Sequence, residues 1–252
     1  MNSAIELAAI DKVYPGANPV TALSKIDLTI ADGEFAALLG PSGCGKSTLL
    51  NMVAGFESVT GGSLSVYGAP VVQPGPDRAV VFQEAALFPW LSVWENVVFG
   101  PKVQGLAPAQ YEARARETLK LVGLENFHKH LPVQLSGGMK QRVGIARVLV
   151  MEPKLLLMDE PFGALDAQTR LTMQQLLLDV WQQLRKTVIF VTHDIDEAIL
   201  LADVIYIMSA RPGRIASRIP VGLPRPRNLD TLTDQHFNDF KKRIMHEMRH
   251  EA

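Results

Sequence analysis

The chain has 252 residues, of which 47% are hydrophobic and 20% are charged, with a formal net charge of -1 and a single cysteine. This is the composition of a globular protein that can bury the core of one large α/β domain or two modest ones. The near-zero charge argues against nucleic acid as the main partner, because phosphate-backbone binding normally leaves a basic excess, and the lone Cys44 excludes a disulfide framework and fits a reducing cytoplasm.

The apolar runs predict neither a signal peptide nor a membrane span. Glu6 and Asp11 interrupt the start of the chain, where a signal peptide needs an unbroken apolar region. The best candidate span, "IDEAILLADVIYIM", contains Asp196, Glu197 and Asp203, and these charges break it. If this protein works at a membrane, another chain must hold it there.

Short apolar runs alternate with helical patterns along the chain. In order, "EFAALLG" precedes "KSTLLNMVAGF", "KLLLMDE" precedes "AQTRLTMQQLLLDVWQQLR", and "TVIFVTH" precedes "DIDEAILLA". The runs are continuously apolar rather than alternating, which indicates strands covered on both faces. We therefore predict a parallel sheet in an α/β domain.

The pattern changes between about residues 84 and 152. There "PAQYEARARETLKLVGL" and "MKQRVGIARVLVM" predict amphipathic helices with no strand between them. After residue 211, "RPGRIASRIPVGLPRPR" predicts a short strand and a Pro-rich connector, and "DQHFNDFKKRIMHEMRHE" a final helix. We predict one domain over residues 1–252, divided into an α/β core (1–83 and 153–215), a helical subdomain (84–152) and a C-terminal connector and helix (216–252).

A Gly-rich loop, "GPSGCGKST" at residues 40–48, follows the first of these strands and opens a helix. Its G-x-x-x-x-G-K-[ST] spacing is that of a phosphate-binding loop in the strand-loop-helix context that such a loop requires. Glycines let backbone N–H groups approach the phosphates, and the helix start adds positive potential. Lys46 is expected to reach the β- and γ-phosphates and Ser47 to ligate Mg²⁺. The alternative is a Gly-rich turn with no ligand, which the flanking strand and helix disfavour. The other positions assigned to the nucleotide are Gly40, Pro41, Ser42, Gly43, Cys44, Gly45 and Thr48.

Two adjacent carboxylates, Asp159 and Glu160, end the buried strand "LLLMDE". Ligands bind at the carboxyl ends of strands in open α/β sheets. Asp159 therefore suits the Mg²⁺ shell, and Glu160 suits orienting and deprotonating an attacking water. The alternative is a solvated Asp-Glu turn, which the four preceding apolar residues and the following "PFGALD" disfavour.

A second phosphate cradle is predicted at "LSGGMKQR", residues 135–142. The stretch sets Ser136, Gly137 and Gly138 before a basic, helix-forming run, which is how backbone amides at a helix start bind an anion. One nucleotide does not need two cradles in one chain.

In this order the motifs resemble those of the ATP-binding subunit of an ABC transporter, over about residues 5–215. The resemblance implies that "LSGGM" corresponds to the family's LSGGQ signature. It further implies that Tyr14 stacks on adenine, that Gln83 touches Mg²⁺ and water, that Asp166 in "GALD" lies in the loop crossing between subunits, and that His193 contacts the γ-phosphate. Taken singly, a His after a strand is more often a packing or capping residue and a Tyr is usually core.

For the fold, the resemblance implies a P-loop NTPase core of ABC type, with an antiparallel β portion near the N-terminus and an inserted helical subdomain. For the mechanism it implies ATP and Mg²⁺ bound between two copies of the chain, so that Ser136 and Gly138 serve the partner's ATP. Met139 departs from the family's Gln. Because a thioether cannot replace an amide as a donor, no amide hydrogen bond is expected there.

The loop "EAALFPWLSVWENVVFG" predicts a docking surface, because Phe88, Pro89 and Trp90 are too apolar for an ordinary loop. We assign Val97 and Phe99 instead to internal packing of the helical subdomain. The resemblance implies that membrane permease subunits dock at this loop, that a solute-binding protein acts indirectly, and that the chain lies peripherally at the cytoplasmic face of the membrane. The loop, with "DEPFGALDAQTR" and "ARPGRI", resembles the nitrate, sulfonate and taurine import group.

Three other features carry weaker hypotheses. Cys44 as a nucleophile has no base placed by the sequence. His246 and His250, four apart on the last helix, lack further metal ligands and are interpreted as a solvated face. The basic run "KKRIMHEMRH" has the same interpretation, since Glu247 and Glu251 dilute its charge.

Two other functions remain open from the residues. A soluble ABC protein of DNA repair or translation would use the same site on nucleic acid, but it normally carries paired cassettes or long coiled-coil inserts. A P-loop GTPase or kinase would need an N-K-x-D motif or a phosphoacceptor pocket, and would leave "LSGGM" unexplained.

Overall fold

The computed structural model describes residues 3–250, without the side chain of His250. Its strands are β1 (Ser3–Tyr14), β2 (Val20–Ala31), β3 (Phe35–Leu39), β4 (Gly61–Val66), β5 (Ala69–Pro70), β6 (Arg78–Val81), β7 (Leu155–Asp159), β8 (Thr187–Thr192), β9 (Val204–Met208) and β10 (Ile215–Pro220). Its α-helices are α1 (Lys46–Ala54), α2 (Val93–Val103), α3 (Pro108–Leu121), α4 (Gly137–Leu149), α5 (Ala167–Leu184), α6 (Ile195–Leu201) and α7 (Gln235–His250).

The N-terminal strands form an antiparallel sheet in the order β2-β1-β4-β5. In β2 the apolar Ile26, Leu28 and Ile30 are buried, whereas Asp27 and Thr29 between them are exposed. This alternation is that of a sheet with one face on the core and one in solvent.

The second sheet has the order β10-β9-β3-β8-β7-β6, and it is parallel except for β10, which pairs antiparallel with β9. All of "FAALL" in β3 is buried. Phe35, Ala37 and Leu39 contact the core on the helical side, while Ala36 and Leu38 contact the core shared with α1 and the first sheet. Burial on both faces explains the continuous apolar runs, and the predicted parallel sheet is confirmed.

Strand order brings distant motifs together at one edge of this sheet. Strand β8 lies between β3 and β7, with Leu39 opposite Thr192 and Asp159 opposite Val191. The carboxyl ends of these three strands therefore carry the Gly-rich loop, His193 and the Asp159–Glu160 pair at the same edge, where open α/β sheets bind ligands.

Three helices, α2, α3 and α4, separate β6 from β7, and no strand forms between them in the described chain. In the C-terminal part, α7 packs on α6 and the connector before it, with Phe237 and Ile244 buried. The connector is held by Arg227, which is 2% exposed and donates to the carbonyls of Ile199 and Ala202 at the end of α6. Burial lowers the pKa of Arg227 to about 10. The C-terminal segment is thus part of the folded domain.

Candidate active site

The loop of residues 40–48 forms a cradle whose backbone shape requires glycine. Gly43 and Gly45 have φ angles of +78° and +98°, in the left-handed region that side chains disfavour. At Gly40 a Cβ atom would lie 2.7 Å from the carbonyl oxygen of Met208. These glycines therefore shape a backbone whose amides can surround a phosphate.

Lys46, at the start of α1, lies inside this loop. Its Nζ donates to the carbonyl oxygens of Gly40 at 2.8 Å and Pro41 at 3.0 Å, and the residue is 5% exposed. The ammonium group is thus anchored at the base of the cradle. Its predicted contact with the phosphates stays a prediction.

The two residues predicted to bind Mg²⁺ in the cradle and at the end of β7 touch each other. Ser47 Oγ donates to Asp159 Oδ1 at 3.0 Å. Burial raises the pKa of the Asp159 carboxyl, and the hydrogen bond from Ser47 partly opposes the rise. A hydroxyl beside a desolvated carboxylate fits Mg²⁺, which prefers oxygen ligands. Within residues 3–250 no group of three or more His, Cys, Asp or Glu could hold a metal, so the ion would need phosphate and water oxygens as further ligands.

Glu160 and His193 form a contacting pair beside the cradle. The Glu160 Oε2 atom lies 3.1 Å from His193 Nδ1, and the two side chains are 25% and 58% exposed, respectively. Glu160 has a φ of +43°, and its N–H donates to the carbonyl of Val191 on β8 at 3.0 Å. A non-glycine residue in this region is strained, and such strain is concentrated at functional sites.

The cavity at the cradle is lined by several of the predicted residues and by some that the sequence analysis missed. Tyr14 lies in its wall, with its hydroxyl 3.4 Å from Thr48 Oγ1. The wall also contains Ser42, Glu160 and the unpredicted Arg211. Arg211 comes from the segment after β9, and its Nη2 would lie 3.8 Å from a Cβ at Gly43. Only the pairing of β9 with β3 brings this guanidinium to the cradle.

The side chain of Cys44 does not line this cavity. It is 1% exposed, and its Sγ lies 3.8 Å from Lys46 Nζ on the inner side of the loop. Any contact of Cys44 with a nucleotide would therefore be made by its backbone.

The signature stretch lies apart from the cradle. Ser136 caps α4, its Oγ accepting from the Met139 N–H at 3.3 Å. Ser136, Gly138 and Met139 line a cavity that contains no residue of the loop at 40–48. Gly138 is packed on α5, since a Cβ there would lie 2.5 Å from Thr169 Cγ2. The two predicted cradles therefore lie apart from each other within one chain.

Asp166 caps α5, accepting from the Thr169 N–H at 3.0 Å, and is exposed. The pKa of its carboxyl is lowered, mainly by the hydrogen bonds with Thr169. Gly137 lies close by, since its Cβ would be 3.7 Å from Leu165 Cδ2. The end of the "GALD" loop and the signature thus form one continuous surface.

Gln83 lies close to Glu160 and borders a groove on the helical side. Both side chains lie next to Gly163. A Cβ atom at Gly163 would be 3.1 Å from Gln83 Nε2 and 3.6 Å from Glu160 Oε2. Gln83 is exposed and lines the groove together with Leu87, Pro89 and others. Its predicted contact with Mg²⁺ stays a prediction.

The loop after Gln83 is held by a buried asparagine and carries an exposed tryptophan. Asn96 on α2 is fully buried; it accepts from the Phe88 N–H at 2.9 Å and donates to the carbonyls of Phe88, Leu91 and Ser92. Trp90 is 72% exposed. The loop is therefore a fixed surface that presents an indole to solvent.

Phe99 differs from its prediction. Val97 is fully buried as expected, but Phe99 is 38% exposed and its ring lies 4.5 Å from that of Phe88. Side chains two positions apart on a helix point about 200° away from each other, so Val97 and Phe99 cannot face the same core. Phe99 therefore packs against Phe88 at the surface and not in the core.

Helix α4, which begins at the signature, also holds this loop. Arg147 donates to the carbonyls of Ala85 and Ala86 at 3.1 and 2.9 Å, and Gln141 donates to that of Phe82 at 3.1 Å. Burial lowers the pKa of Arg147. The groove and the signature thus share one rigid helix.

No helix in the described part of the chain, residues 3–250, has the length and apolarity to cross a bilayer. The hypothesis of a metal at His246 and His250 falls partly outside the described side chains, and no metal-binding group is found among those that are described.

Comparison with known proteins identifies relatives of this chain. The taurine import ATP-binding protein TauB of Burkholderia pseudomallei (strain 1710b) is 54% identical over 199 residues, covering 79% of this chain and 76% of that protein. TauB of Pseudomonas entomophila (strain L48) is 51% identical over 216 residues, covering 85% and 83%.

Two solved structures share the fold. A dimeric post-hydrolysis state of the ATP-binding cassette MJ0796, bound to ADP and Pi, matches with a TM-score of 0.76 and 33% identity, covering 87% of this chain and all of that one. CbiO1 from Clostridium perfringens, part of the ABC transporter complex cbiONQ, matches with a TM-score of 0.79 and 29% identity, covering 99% and 100%. The predicted ABC-type fold is confirmed.

The sequence model of the family described as ABC transporter matches residues 23–163, more than half of the chain. Joined with the relatives and the shared fold, this match shows that the chain belongs to the ABC transporter family, as an ATP-binding and ATP-hydrolysing subunit.

Proposed function

We propose that this chain is the ATPase of an importer that takes up taurine or a related small sulfonate through separate membrane subunits. The observation that carries the proposal is the identity of 54% and 51% to two taurine import ATP-binding proteins. Nitrate import belongs to the same predicted group and is the alternative cargo. None of the names and descriptions of the relatives given above mentions DNA repair or translation, and we retain import alone.

In the proposed mechanism, ATP lies between two copies of the chain. The cradle and Lys46 of one copy hold the phosphates, Tyr14 faces the adenine, and Ser136 and Gly138 of the other copy close over the same nucleotide. Two observations support this arrangement: the cradle and signature line separate cavities within one chain, and the MJ0796 cassette is dimeric with ADP and Pi bound.

Hydrolysis is assigned to the residues at the strand ends. Water attacks the γ-phosphorus, its proton passes to the Glu160 carboxylate, and the oxygen between the β- and γ-phosphorus atoms leaves with ADP. His193 contacts that carboxylate at 3.1 Å, and Gln83 lies close to it. Bound at Ser47 and Asp159, with Gln83 as a further predicted ligand, Mg²⁺ would neutralise charge on the phosphates.

The exposed loop with Phe88, Pro89 and Trp90 is the proposed contact with the membrane subunits. It borders the groove containing Gln83 and is fastened to α4, which carries the signature. A movement of this surface would therefore displace both Gln83 and the signature at the start of α4. The chain then works peripherally at the cytoplasmic face of the membrane, and the solute-binding protein acts on it only indirectly.

The test is uptake by cells whose only copy of this subunit carries Glu160→Gln. The amide keeps the shape of the side chain but cannot accept the proton, so ATPase turnover should fall about 10²-fold or more, and uptake of labelled taurine should stop. Glu117→Gln, on an exposed position of α3, is the matched control and should leave both unchanged. Taurine uptake that survives Glu160→Gln would refute the proposal, and loss of nitrate uptake alone would reassign the cargo.

A further inference from the structure

A buried carboxylate outside the catalytic pair connects α5 to α6. Glu197 is 5% exposed, and both of its oxygens accept hydrogen bonds: Oε1 from Gln174 Nε2 at 3.1 Å and Oε2 from Thr192 Oγ1 at 2.6 Å. Gln174 and Thr192 are themselves 4% and 2% exposed. The three side chains of this network are therefore shielded from solvent.

The hydroxyl of Thr192 has its direction fixed by this carboxylate. Its oxygen also accepts the N–H of Asp194 at 3.0 Å, so its single proton is directed to Glu197 and a lone pair to the peptide of residue 194. His193 lies between Thr192 and Asp194. Both backbone neighbours of this histidine are thus held by one hydroxyl.

The same face of α5 reaches α6 at a second point. Arg170 and Gln174 are four residues apart and so lie on one face of the helix. The Arg170 guanidinium pairs with Asp194 Oδ2 at 3.7 Å and donates to the carbonyl of Leu165 at 3.1 Å. Since Leu165 precedes Asp166, these contacts connect the partner-facing loop to the segment that carries His193.

The Glu197 carboxylate is the common acceptor of two buried donors. Burial raises the pKa of Glu197, opposed by the hydrogen bond from Thr192, and the neighbouring charges are Asp194 and Arg170. A leucine would leave the Thr192 hydroxyl and the Gln174 amide buried without this acceptor, and an unsatisfied buried donor costs about 1–3 kcal/mol. What the carboxylate adds is a fixed geometry.

We propose that Glu197 is a positioning residue for hydrolysis: through Thr192 it holds His193 against Glu160, and through Gln174 it ties that position to α5, the helix that Asp166 caps. The inference rests on the proposed function in taking Glu160 and His193 as the pair that acts on ATP and Asp166 as part of the loop that faces the partner. Closure of the partner against Asp166 would then be transmitted to His193 along a packed polar network.

Two buried threonines on the same strand provide the test. Thr192→Val removes the hydroxyl that contacts Glu197, whereas Thr187→Val, at the other end of β8, removes a buried hydroxyl bonded to Gly33 N–H at 2.9 Å. Thr192→Ser keeps the hydroxyl and loses only the methyl group. ATPase kcat and KM of the full chain, and Tm, are measured for the three variants and the wild type.

We expect kcat of Thr192→Val to fall about tenfold because His193 is misplaced. KM for ATP should stay within about twofold of the wild type because the cradle is untouched. Thr192→Ser and Thr187→Val should keep kcat within about twofold of the wild type. If Thr192→Val retains wild-type kcat, or if Thr192→Ser falls as far as Thr192→Val, the hydroxyl does not position the histidine and the proposal is overturned.

A second pair of variants covers the case in which Thr192→Val does not fold. Glu197→Asp withdraws the carboxylate by one methylene group and should lower kcat about tenfold, whereas Glu197→Gln keeps an acceptor for Thr192 and should stay within about threefold, with the Gln174 amide turned over. Wild-type kcat in Glu197→Asp overturns the proposal. Failure of the proposed function is distinguishable, because Glu160→Gln would then hydrolyse ATP like the wild type.

Discussion

Substitutions at the two cradles should fail in different ways. Lys46 is 5% exposed and its Nζ donates to the Gly40 and Pro41 carbonyls, so Lys46→Ala removes the charge predicted to contact the phosphates and two hydrogen bonds within the loop. A hydrogen bond to a charged group contributes about 1.5–3 kcal/mol. The Kd of the isolated chain for ATP should therefore rise about 10- to 100-fold.

Ser136 requires a change that adds charge and keeps the fold. Its Oγ caps α4 through the Met139 N–H, and Asp and Asn are as good as Ser at an N-cap. Ser136→Asp thus keeps the helix start while setting a carboxylate against the γ-phosphate of the partner's ATP. Ser136→Asn is the uncharged control. Both should bind ATP as monomers with a Kd within about twofold of the wild type, because the signature cavity contains no cradle residue.

The assay combines ATP titration at low protein concentration with light scattering in a Glu160→Gln background, where hydrolysis does not disperse the complex. Lys46→Ala should bind ATP about 10- to 100-fold more weakly as a monomer. Ser136→Asp should bind ATP but not dimerise, in contrast to Ser136→Asn. If Ser136→Asp weakens monomer binding as much as Lys46→Ala does, both cradles act on one nucleotide within one chain. The shared-site dimer is then wrong.

Three further predictions follow from exposure and contacts. Trp90→Ser should release the chain from its membrane subunits in co-purification while leaving Tm within about 2 °C, because the indole is 72% exposed; retained co-purification would contradict a docking role, and a fall in Tm larger than that of Phe88→Ser would show that the ring is core. Arg211→Ala should raise the Kd for ATP about fivefold without changing kcat, because the guanidinium lines the cradle; an unchanged Kd would show that Arg211 does not reach the nucleotide. Cys44, which is 1% exposed, should react with maleimide about 10²-fold more slowly in the folded than in the unfolded chain, and still more slowly with ATP; equal rates would mean that the loop opens freely.

The sequence alone was enough to predict the parallel sheet and the cradle. Continuous apolar runs and the spacing of Gly40, Gly45 and Lys46 are local patterns, and their backbone consequences are local too. The same holds for Asp159 and Glu160, since a strand that ends in polar residues places them at the sheet edge. The placement of these residues depends on neighbours only a few positions away in the chain.

Tertiary structure decided which residues surround that cradle. Arg211 reaches it because β9 pairs with β3, and Glu197 meets Gln174 because α5 and α6 pack with a particular rotation. The sequence predicts internal packing for Phe99, yet the rotation of α2 buries Val97 and leaves Phe99 38% exposed. Composition and spacing do not specify helix rotation or strand order. These depend on the summed burial of many side chains, so a contact between residues far apart in the chain becomes visible only once the whole core is assembled.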